Sequence, residues 1–176
     1  MEKIYLPKEY IINKIPELIR YFAFNNPLSI EIALVAFCIY TKLQHGDGTK
    51  KVFVSGYGSD LLNAGIFSPF SDYSKLEAEI MNSLKRAQLS NEFSNLAANN
   101  LGITAIHPFW HTDVIQTALS VPAEFKVRDN KDKYYFRKEM EKYLPASIAW
   151  RTKIGAHQGT GITENIIKYL LQVEDG

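Results

Sequence analysis

Apolar residues recur at helical spacing near the start of the chain. In LPKEYIINKIPELIRYFAFNN, Ile11, Ile12, Ile15, Leu18, Ile19 and Phe22 share one helix face, and Pro16 predicts a break or restart within it. NPLSIEIALVAFCIYTKLQHG reads as a second, more apolar helix that stops at Gly46, and HGDGTK reads as a turn. KVFVS is too continuously apolar for a half-exposed strand, which places it inside a sheet. It runs into Ser55-Gly56-Tyr57-Gly58-Ser59-Asp60, a tight glycine turn that opens a helix. Beyond it the pattern predicts helices near 72–88, 90–100, 112–119, 133–143 and 163–172. The intervening loops are ITAIHPFWH, VPAEFKVRDN and WRTKIGAHQGTG. The chain divides into helices over 1–49, the strand and turn over 50–65, and a helical part over 66–176. One strand cannot make a sheet. Either further strands hide in weakly patterned segments such as GITAIH, or another polypeptide completes the sheet.

Length and composition narrow the class. A chain of 176 residues is expected to form one domain with a real core. The net charge of +1 gives no electrostatic argument for nucleic acid or for a membrane surface. Cys38 is the one cysteine, so no internal disulfide forms, and its apolar setting marks a buried structural thiol. The run Leu28–Leu43 carries Glu31 and is short for a spanning helix, so it is expected to pack against a sheet. MEKIYLPKEY lacks the apolar core of a secretory signal. A soluble, cytoplasmic protein is expected.

Several residues admit a chemical reading beside a structural one. Tyr57 and Asp60 lie on the glycine turn, where Tyr57 either packs or reacts. Glu92 opens the SNEFSNLAANN helix, as an active acid or as a plain helix-start charge. Lys133 is one of several charges in DNKDKYYFRKEM. Lys153 lies in a glycine-rich loop, as a solvated side chain or as a lid cation over phosphate or an oxyanion. His107 and His111 form a weak metal pattern with no nearby cysteine or carboxylate cluster in ligand spacing, and His107-Pro108 better suits a turn with Phe109 and Trp110 packed beneath it. The chain has no Walker A pattern, dinucleotide fingerprint, HExxH or nucleophile elbow.

Taken in order, these segments resemble the synthetase domain of the asparagine-synthetase-like ATP-pyrophosphatases. The family turn reads Ser-Gly-Glu-Gly-x-Asp-Glu, and here it is Ser55-Gly56-Tyr57-Gly58-Ser59-Asp60-Leu61. Tyrosine in place of glutamate is similar to the β-lactam synthetase and carbapenam synthetase branch. So are the acid site around Glu92, the His107-Pro108-Phe109-Trp110 loop and the Asp132-Lys133-aromatic-x-x-Arg137 helix. The loop from Lys153 to Gly161 completes the set, and the resemblance covers roughly residues 30 to 165. It implies an α/β fold: the mostly helical C-terminal part of an adenine-nucleotide α-hydrolase-like (PP-loop) domain. It also implies ATP and Mg²⁺ as cofactors, adenylation of a carboxylate, and attack by an amine of the same molecule, as in closing a β-lactam from a small β-amino acid. Tyr57 and Glu92 correspond to the pair that deprotonates the amine, and Lys153 to the lysine on the oxyanion and leaving adenylate. Ser55 and Gly56 would face the nucleotide, Lys133 the phosphates, and Asp60 the metal.

The family's Ser-Gly-Gly-x-Asp-Ser pyrophosphate loop has no counterpart before Lys50, and neither does an amidohydrolase-like domain with an N-terminal catalytic cysteine. The implied partner is a companion polypeptide that carries the loop and the missing strands. A longer chain cut into pieces is equivalent chemically. Intermolecular amide ligation, of the asparagine-synthetase or peptide-macrolactam kind, is the enzymatic alternative, and a non-catalytic interaction subunit is the other. Neither nucleic acid nor membrane is an expected partner.

Overall fold

The computed structural model describes residues 4–22, 26–44, 49–65, 72–164, 166, 167 and 169. The elements run α1 (Lys8–Phe22), α2 (Pro27–Gln44), β1 (Lys51–Val54), α3 (Ser59–Leu62), α4 (Tyr73–Ser90), α5 (Asn95–Asn100) and β2 (Ile103–Ile106). After a single 3-10 turn (Pro108–Trp110) come α6 (Thr112–Ser120), α7 (Ala123–Lys126), α8 (Tyr134–Met140), α9 (Ala146–Ala149) and α10 (Ala156–Gly159). The fold is mostly helical α/β, and β1 and β2 pair as a two-stranded parallel sheet. The expected helix stop at Gly46 and most of the HGDGTK turn lie outside the described residues. So does much of the expected helix over 163–172, of which 163, 164, 166, 167 and 169 are described and helical.

Two compact units divide the chain. The first comprises Met1–Phe53, Ser90–Ile106 and Ile154–Gly176, and the second Val54–Leu89 and His107–Lys153. In the first, α1 runs unbroken through Pro16. The expected break does not occur, because burial of Ile11, Ile15 and Leu18 against α2 holds both halves in line. The helix α2 is long and apolar enough to cross a membrane by length and composition alone. Eight of its residues, Ile30, Ala33, Leu34, Ala36, Phe37, Cys38, Tyr40 and Thr41, are instead buried in this unit. Tyr40 meets Phe53 edge-on at 5.0 Å and so fastens β1 to α2. Burial pushes the Cys38 thiol up to about 12, as suits an inert core cysteine.

The loop expected over ITAIHPFWH begins instead with β2, the strand that the weakly patterned GITAIH was able to hide. Ile103 is buried and Ala105 packs on the core, a footing that β1 pairing completes. The sheet does not meet the expectation of a strand covered on both faces. Phe53 packs inward, while Val52 is 57% exposed, Val54 64% and Ile106 45%.

The second unit is built on α4, whose Leu76, Ile80 and Leu84 bury with Leu62, Ala64, Ala123 and Val127. Phe109, Trp110, Ile115 and Ala118 pack at its margin. This core holds α3, which follows the glycine turn, and α7, against which α8 packs. Phe37 of the first unit is fully buried, so Phe37→Ala is expected to cost about 3–5 kcal/mol, read as a lowered denaturant midpoint at unchanged slope.

Candidate active site

The glycine turn is fixed locally. The Tyr57 amide donates to Ser55 Oγ at 3.0 Å, and the Ser59 amide to the Gly56 carbonyl at 3.2 Å. Gly58 takes φ 94°, and a Cβ there would lie 2.9 Å from the Trp110 indole nitrogen. Only glycine meets both conditions. The Tyr57 ring lies against His107, with centroids at 6.3 Å and planes at 76°, and against Trp110 at 5.7 Å. His107 shapes the turn as its sequence suggested, its carbonyl accepting from the Trp110 amide at 2.9 Å.

Asp60, in α3, is the centre of the site. One carboxylate oxygen pairs with the Lys133 ammonium and the other with that of Lys153. The side chains are 33%, 15% and 28% exposed, so the cluster is only partly open to water. Burial works to raise the Asp60 pKa, but the two ammonium groups outweigh it and hold the carboxyl below its usual range. Lys133 is not one of several charges on an exposed helix face. It precedes α8 at φ 53°, a left-handed conformation that L residues adopt rarely, and turns its side chain onto Asp60. A Cβ on Gly65 would collide with that side chain, so this glycine clears the path of Lys133.

The second unit thus brings together Ser55, Gly56, Tyr57, Asp60, Lys133 and Lys153. Glu92 belongs to the first unit. It does not open a helix: it sits in the turn after Asn91, whose φ of 56° ends α4, and before Ser94, whose hydroxyl caps α5. Its carboxylate accepts from the Ser29 hydroxyl of α2 at 3.0 Å. On the same helix Glu31 accepts from Thr163 at 3.1 Å, with His157 Nε2 4.0 Å away. His111 is exposed and caps α6 beside Asp113, and among the described residues no three His, Cys, Asp or Glu gather around a point. Three contributors had no assigned role in the sequence: Ser29, Gly65 and Arg137. The Asp132-Lys133-x-x-x-Arg137 spacing was the available signal for the last.

The donor set fits a metal–phosphate complex. Two ammonium groups that share one carboxylate can exchange it for phosphate oxygens, and a single carboxylate is what Mg²⁺ takes when phosphate and water supply its other ligands. Lys133 would face the phosphates, Lys153 the leaving adenylate and Asp60 the ion.

These features define a class. Residues 71–173 match the asparagine synthase family, and the chain belongs to it. It is similar to the carboxyethyl-arginine beta-lactam-synthase of Streptomyces clavuligerus, with 27% identity over 169 residues. That alignment takes in 96% of this chain and 32% of the relative, so the chain spans about a third of the relative's length. Both findings support the branch to which the tyrosine turn is similar.

The Asp60 ion pairs carry a pH dependence. With the folded pKa depressed, they stabilise the fold fully above the usual carboxylate range and are lost as pH falls through and below that range. Asp60→Asn is therefore expected to lower the urea midpoint at neutral pH, with the gap to wild type closing in strong acid. A gap of constant size at every pH would contradict this assignment.

Proposed function

We propose that this chain is the lysine-bearing part of an ATP- and Mg²⁺-dependent synthetase that activates a carboxylate and closes a lactam by attack of an amine in the same molecule. The observation that carries the reading is the Asp60–Lys133–Lys153 cluster beside the Ser55-Gly56-Tyr57-Gly58 turn, in a chain of the asparagine synthase family. When bound, ATP supplies the adenylyl group that activates the carboxylate, and Mg²⁺ neutralises the departing pyrophosphate. Lys133 would hold phosphate oxygens, and Asp60 would be the residue that holds the metal. Ser55 and Gly56 give backbone contact to the nucleotide, whose close approach the absence of a side chain at Gly56 permits.

An ammonium is no nucleophile, so a proton must leave before attack. The resemblance gives its removal to Tyr57 with Glu92, because a free phenol with a pKa of about 10 is a poor base without a carboxylate behind it. The amine then forms the C–N bond, and Lys153 stabilises the oxyanion until the bond to the leaving group breaks. A small β-amino-acid-like molecule, with amine and carboxylate in reach of each other, is the substrate class.

The exposed Val52, Val54 and Ile106 support a further element of this proposal. A parallel pair of strands is stable when both faces are covered, and these side chains are not covered by the described residues. We assign the cover, the remaining strands and the pyrophosphate loop to a companion polypeptide. Packing of α2 into the first unit supports a soluble protein, and the reading places it in the cytoplasm.

Tyr57→Phe tests the chemistry. In the complex with the companion polypeptide, lactam formation is expected to fall by about 10²–10⁴-fold while ATP still binds. Undiminished product formation would contradict the proposed role and favour a scaffold.

A further inference from the structure

The two lysines reach Asp60 from segments far apart in sequence, and one guanidinium joins those segments. Arg137, in α8, is almost completely buried. Its Nε donates to the Asp132 carbonyl at 2.8 Å and its Nη2 to the Asp132 carboxylate at 2.9 Å. Its Nη1 donates to the carbonyl of Ala149 at 3.0 Å and to that of Arg151 at 2.8 Å. Asp132 immediately precedes Lys133, and Arg151 lies two residues before Lys153. Every acceptor of the fork therefore sits within four residues of an active-site lysine.

We propose that Arg137 is the positioning residue of this site, setting Lys133 and Lys153 at a fixed separation across Asp60. Four of its five N–H groups bond to Asp132, Ala149 and Arg151, and it acts through the lysines. Guanidinium is planar with its donors at fixed angles, so bonding to both segments sets the direction as well as the distance between them. The Asp132 bonds also brace the turn in which Lys133 is held left-handed, a conformation that surrounding structure must enforce. An ammonium at this position would be one charge on a flexible stem and could not hold four acceptors in a plane. What the lysines do once positioned rests on the function proposed above; that they are positioned does not.

Amine reactivity reads the positioning directly. The full chain is treated with limiting acetic anhydride, and acetylation of each lysine is followed by mass spectrometry in wild type and Arg137→Lys. Lys133 and Lys153 are expected to acetylate ~3-fold faster or more in the variant, as their ion pairs to Asp60 loosen. The exposed Lys75 and Lys85 should keep their rates, and the helical circular dichroism should be retained. Should Arg137→Lys fail to fold, Asp132→Ala frees one end of the fork and should speed Lys133 alone. Wild-type rates at both lysines in a folded variant, or an equal rise at every lysine, would overturn the proposal. Inorganic pyrophosphate binding to the wild-type chain in complex with the companion polypeptide is measured alongside. Faster acetylation without any pyrophosphate binding leaves the positioning intact and removes the functional reading.

Discussion

One carboxylate between two ammonium groups is the constraint around which the second unit is arranged. Asp60 is partly buried, and a lone anion there would be costly, so Lys133 and Lys153 must both arrive. Their arrival explains features that otherwise look unfavourable. Lys133 accepts a left-handed backbone, and Gly65 gives up a side chain to let its stem pass. Arg137 commits four of its five N–H groups to main-chain carbonyls and to the Asp132 carboxylate. The glycine turn is fixed by the same economy of space, with Gly58 flush against Trp110. The result is a local excess of positive charge whose counter-ion is one exchangeable aspartate, which is chemistry suited to phosphate.

The first unit contributes a different constraint. Its core is satisfied by α1, α2, α5 and one face of a parallel pair, while the valines of β1 and Ile106 of β2 remain exposed. The core accounts for its stability, and the exposed face is apolar surface that the described residues leave uncovered.

Much of this was legible in the sequence. The apolar density of α2 and the glycine turn are local signals, and local structure follows them. β2 was not legible with the same clarity: ITAI is four residues long, and pairing with β1 is what makes it a strand. Pro16 misled because propensity yields to burial. Glu92 was displaced from its expected helix by two local events, the left-handed Asn91 and the Ser94 cap. The order of motifs pointed to Asp60, Lys133 and Lys153, but nothing in their spacing shows that they meet. The part played by Arg137 was least visible. Three of its four bonds end on backbone carbonyls, which every residue has and no pattern marks.

The central claim is that the two lysines on Asp60 form an anion site. Calorimetric titration of the full chain with Mg-pyrophosphate, compared with a Lys133→Met/Lys153→Met double variant, tests it most directly. The account predicts saturable binding by the wild type, weakened by about tenfold or more for each charged hydrogen bond removed. Equal affinity in the two proteins, or no binding by either, would contradict it.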